Sequence, residues 1–157
     1  MILLALLPLL LAADEDAITV TLAFERMHCD ECKAELEASV KKMPGFKAVA
    51  FVGSAAVAIF DEKQPVPAFN RLPKDLSLRS ASLSIRGTVS FTGEKATLVA
   101  RSGSTYALVN PDKTRQDPLG DLKKKLAGKS RFTVSGAIGG DGKTILLQSF
   151  QATDWKD

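Results

Sequence analysis

Five stretches in the second half of the chain, SASLSIRGTVSF, EKATLVAR, STYALVN, RFTVSGAI and TILLQSFQAT, alternate apolar and polar residues. A period of two gathers the apolar side chains on one face of an extended strand, whereas a helix would scatter them around its axis. Turn residues at Thr92-Gly93, Ser102-Gly103 and Gly139-Gly140-Asp141-Gly142 separate the first stretch from the second, the second from the third and the fourth from the fifth, where glycine supplies the backbone freedom a tight reversal needs. Between the third and fourth stretches, DPLGDLKKKLAG places Leu119, Leu122 and Leu126 on one side of a short helix, with Gly128 as its stop.

Five strands with a helix between the third and fourth follow the order of an OB-like Greek-key β-barrel. Such a barrel is expected over residues 81–157, with Tyr106 and Phe132 packed inside it. The first half has a different rhythm. ITVTLAF, from Ile18 to Phe24, reads as a half-buried strand. ECKAELEASVKKM then carries Cys32, Leu36, Val40 and Met43 at helical spacing until Pro44-Gly45 ends it. FKAVAFV and AAVAIF around Gly53-Ser54 form a hairpin, AFNRLPKDL a short helix limited by Pro73, and Leu76–Ser80 a closing strand. That β-α-β-β-α-β order predicts a ferredoxin-like unit over residues 17–80. The whole is then α+β: a ferredoxin-like βαββαβ domain followed by a small OB-like β-barrel domain.

MILLALLPLLLAA is apolar through Ala13 and then breaks into Asp14-Glu15-Asp16. It is too short for a membrane-spanning helix of about 20 residues and matches the apolar core of a signal peptide, so residues 1–13 are expected to be a leader. The mature chain would then be periplasmic or secreted, with no stable membrane insertion after cleavage. The net charge of +3 is spread among mixed signs with no basic stripe, which points away from a nucleic-acid partner.

FERMHCDEC, Phe24 to Cys32, holds both cysteines and the sole histidine of the 157 residues. Cys29 falls in the loop after a strand and Cys32 in the first turn of a helix, where free backbone amides and the helix dipole favour thiolate. Two sulfur donors suit a soft cation such as Cu(I), whereas a structural zinc site wants four ligands. His28 is read as facing solvent and is left out of the ligand set.

Met27-His28-Cys29-Asp30-Glu31-Cys32, placed between strand and helix and followed by Pro44-Gly45 and a hairpin, resembles the heavy-metal-associated domain. The resemblance covers residues 17 to 79 or so and rests on M-x-C-x-x-C. It implies that Cys29 and Cys32 bind Cu(I), or another thiophilic ion such as Zn, Hg or Cd, that Met27 braces the loop from inside, and that a protein partner exchanges the metal. Arg26 stands where that family carries glycine, and Lys74 is a candidate to offset the charge of a bis-thiolate complex.

The same C-x-x-C spacing also serves thiol-disulfide exchange, and an oxidising compartment closes such a pair into a disulfide. A non-catalytic interaction module is the third reading. With one histidine, no G-x-S-x-G and no phosphate-cradling loop, nothing else assembles a catalytic site. The sequence therefore predicts a binding protein and not an enzyme.

Overall fold

The computed structural model describes residues 16–111, 117–126 and 130–153. The expected leader over residues 1–13, the helix stop at Gly128 and the sole tryptophan, Trp155, lie outside them. Strands take 50% and helical segments 20% of the structure. The strands are β1 (Ala17–Phe24), β2 (Phe46–Val52), β3 (Ala55–Asp61), β4 (Leu78–Thr92), β5 (Lys95–Ala100), β6 (Thr105–Val109), β7 (Arg131–Ile138) and β8 (Thr144–Ala152). Two α-helices accompany them, α1 (Asp30–Lys41) and α2 (Pro118–Lys125).

α1 forms where the sequence places helix-compatible ends: Asp30 and Glu31 in its first turn, Lys41 in its last, and a Glu37–Lys41 pair at 2.9 Å one turn apart. Leu36 and Val40 are buried, and Cys32 and Met43 pack half-buried against the same core. The helix ends before Gly45, whose φ of +81° reverses the chain and whose carbonyl receives the Asp61 amide at 2.7 Å. Val20 faces Ala58 and Leu22 faces Ala56 across β1 and β3, and this buried face belongs to the same core cluster as Leu36 and Val40.

The ferredoxin-like βαββαβ expectation, and with it the α+β class, is overturned. Its second helix is absent. Two 3-10 turns, Phe69–Arg71 and Lys74–Leu76, stand on either side of Pro73 instead. Pro73 explains this, because it lacks an amide proton, clashes with the helical turn before it and keeps Leu72 extended at φ −67° and ψ 157°. The closing strand does not end where expected: β4 runs 15 residues, from Leu78 to Thr92, straight past the boundary near residue 80. Its first half pairs with β1 (Val20 with Leu83, Leu22 with Ala81), and its second half pairs with β5 and β7.

One eight-stranded sheet results, in the order β2-β3-β1-β4-β5-β6-β8-β7. Pairing of β4 with β7 closes the last five strands into a barrel, consistent with the OB-like barrel expected, and β6 and β8 form its parallel contact. Tyr106 and Phe132 are buried, as their positions predicted. Leu122 of α2 is buried, with Leu119 and Leu126 packed against the core beside it. Among the described residues, no helix is long and apolar enough to cross a membrane.

Candidate functional site

The two cysteines sit on the loop that joins β1 to α1. At its start the Phe24 amide donates to Ser54 O at 3.2 Å, where the β1–β4 register shifts. The Glu25 amide then donates to Ser77 O at 3.0 Å and the Arg26 amide to Leu76 O at 3.2 Å, so the loop is tied to the chain entering β4. Met27 is 1% exposed and anchors the loop in the core, while His28, Cys29 and Asp30 are exposed.

Cys29 is the N-cap of α1, with extended backbone at φ −117° and ψ 157°. Its Sγ accepts the Cys32 amide at 3.1 Å, and its carbonyl accepts the Lys33 amide at 3.2 Å. A sulfur thus takes the place that a serine or aspartate oxygen usually fills at a helix start. Cys29 and Cys32 are joined as a disulfide, their Cα atoms 5.2 Å apart. Cys29 forms the exposed side of the pair, and Cys32 the half-buried side against the core.

The structure brings together Met27, Cys29 and Cys32 as the sequence placed them. It does not gather further donors: among the described residues, no group of three or more His, Cys, Asp or Glu side chains is arranged to hold a metal ion. His28, Asp30 and Glu31 therefore add no third or fourth ligand here. Lys74 lies exposed at the head of the second 3-10 turn. Arg26, in the position where glycine was the comparison, adopts no left-handed backbone, since Ser77 at φ 53° is the sole described non-glycine residue there.

Sequence reasoning missed Leu76 and Ser77, whose carbonyls hold the loop. It also missed a buried ionic cluster below β1 and β3. Glu62 is 2% exposed and accepts from Arg86 Nε at 2.9 Å, Arg86 Nη2 at 2.6 Å and Arg101 Nη1 at 3.1 Å. Arg101 Nη1 also donates to Asp16 Oδ1 at 3.1 Å. No local pattern announces this cluster, since its four members are spread from residue 16 to residue 101.

Comparison with known protein families, with curated proteins and with solved structures returns no match for this chain.

Proposed function

We propose that this chain is a soft-metal-binding protein in which the reduced pair Cys29 and Cys32 holds a thiophilic cation, with Cu(I) the best fit. The observation that carries the reading is the donor set: two adjoining sulfurs at a helix start, Cys29 exposed and Cys32 half-buried, with no third donor gathered beside them among the described residues. Soft thiolates select Cu(I), whereas zinc in a structural site would need two further ligands. After reduction, the Cys32 amide aimed at Cys29 Sγ is the donor that stabilises negative charge on that sulfur. Met27 holds the loop from below, the role that the motif-level resemblance to the heavy-metal-associated domain implies for it.

In this reading the chain is exported, the metal passes to or from a protein partner, and the barrel is an OB-like module that docks a partner or shields the site. The disulfide is the metal-free, oxidised form. It opens by taking two electrons and two protons from a dithiol reductant, giving two thiols and oxidised reductant.

The disulfide also favours a second reading, thiol-disulfide exchange, with exposed Cys29 as the sulfur that an incoming thiolate reaches. The two readings separate experimentally. Protein reduced and freed of reductant is titrated anaerobically with Cu(I) against a competing chelator. One equivalent is expected to bind, and Cys29→Ser with Cys32→Ser is expected to remove it. Absence of thiol-dependent binding would sink the metal reading, while turnover of a disulfide substrate by the same preparation would establish the second.

A further inference from the structure

At the far end of α1 from the cysteines lies a groove of about 480 Å³. α1 has 12 residues and so separates the two places by about 18 Å along its axis. One wall is the last turn of the helix with Met43 and Pro44, and the other is Pro65-Val66-Pro67-Ala68. The lining is mostly apolar and contains no carboxylate. Its charged members are Lys42 and Arg71, both exposed and without an ion pair among the described residues.

The walls are held from behind. Val66 is buried and its amide donates to the buried Tyr106 hydroxyl at 3.1 Å, which ties the segment to the barrel. Gly142 of the β7–β8 turn lies so close to Ala68 that a Cβ there would stand 3.3 Å from its Cα. Pro44, Pro65 and Pro67 each restrict the backbone further. A cavity of this size, apolar and already shaped, is in the range that takes small organic ligands, and its rigidity lowers the ordering cost of binding. Two cations and no carboxylate in the lining set the sign of the occupant's charged end.

We infer that this groove is a binding site for a small carboxylate with an apolar body, the body lying against Met43 and the proline-flanked wall and the carboxylate meeting Lys42 and Arg71. The inference does not depend on the cysteine pair, and its readout lies at the opposite end of α1.

Octanoate is the probe, titrated into the full chain while backbone amide shifts are followed by NMR. Saturable shifts confined to Ser39–Met43 and Val66–Ala68 are expected. Lys42→Ala with Arg71→Ala, both surface changes, should weaken binding by about tenfold, as the loss of two exposed charge pairs implies. Ser39→Phe, which narrows the groove from the helix side, should abolish binding while leaving the circular dichroism unchanged. Octylamine, with the same body and opposite charge, should not bind. Failure to saturate in the millimolar range, shifts centred elsewhere, or equal binding of octylamine would each overturn the assignment. So would binding of an acidic peptide by these residues when octanoate does not bind.

Discussion

Ser77 holds a left-handed backbone at φ 53° because of what its peptide groups do. Its amide donates to Lys74 O and its carbonyl receives the Glu25 amide, so the turn there fixes the loop that carries the cysteines. A side chain in that region costs about 1–2 kcal/mol, a penalty absent for glycine, although glycine gains freedom in the unfolded chain. Ser77→Gly is therefore expected to raise stability by about 0.5–1 kcal/mol, seen as a higher urea midpoint. A lower midpoint would show that the serine is unstrained. Arg26 is the converse case. Its backbone is not left-handed and its amide is already held by Leu76 O, so Arg26→Gly relieves nothing and should lower the midpoint. The inward place of Met27 was implied only by the resemblance to the heavy-metal-associated domain, and the outward place of His28 could be read from its position between Met27 and Cys29. Ser77 could not, because Leu76-Ser77-Leu78 has no glycine or asparagine to mark a left-handed position.

Elements were legible where one period and one end signal agreed. α1 has its apolar stripe and Gly45. α2 has Leu119, Leu122 and Leu126 on one side, and the structure adds Asp117 as its N-cap. The Asp117 carboxyl lies below the usual aspartate range because it accepts the Gly120 amide and, next in weight, the Asn110 side-chain amide. A carboxyl lowered in the folded state stabilises it above the unfolded value of about 3.9. That contribution is lost as pH falls through the lowered value, so α2 should fray below about pH 4. The Gly120 amide shift should titrate with Asp117, and an unresponsive Gly120 would disprove the coupling. The expected helix at AFNRLPKDL failed because Pro73 in its middle outweighs its apolar spacing. β4 was divided at residue 80 although Ala81, Leu83, Ile85, Gly87 and Val89 keep one phase throughout, because two separate units were expected there. Gly87 shows what the long strand requires. A Cβ there would lie 2.6 Å from Val99 O and 2.7 Å from Leu98 Cδ1, and the first of these is backbone. Gly87→Ala should cost about 1–3 kcal/mol and speed amide exchange along β4 and β5. Unchanged exchange would mean that the strands have slack.

At the scale of the whole molecule, a continuous strand and a buried charge cluster bind the two regions into one unit. β4 belongs to both the β1–β3 sheet and the barrel. Beside it, Glu62 follows β3, its amide donates to Asp16 O at 2.8 Å, and its carboxylate takes Arg86 from β4 and Arg101 from the end of β5. The sequence gives no warning of this arrangement, because charges become partners only once β1, β3 and β4 are side by side. The arginine side chains retain 25% and 19% exposure while the glutamate has 2%, so the burden of burial falls on the carboxylate. Ion pairs of this kind add little net stability over apolar substitutes, but breaking one side is expensive because it leaves charge unpaired in a poor solvent for it. Glu62→Ala leaves two guanidiniums facing a vacated site and should cost about 3 kcal/mol in urea unfolding. Glu62→Met with Arg86→Met removes both members of the closest pair and leaves Arg101 with Asp16, so it should cost clearly less than Glu62→Ala. If the cluster also fixes how the barrel meets the rest of the sheet, wild-type protein unfolds in one transition by tyrosine fluorescence from Tyr106 and by amide exchange in β1. Glu62→Ala then separates these two signals, with the β1 amides opening at lower urea. Coincident signals in that variant would show that β4 alone makes the molecule cooperative and that the charges set only its total stability.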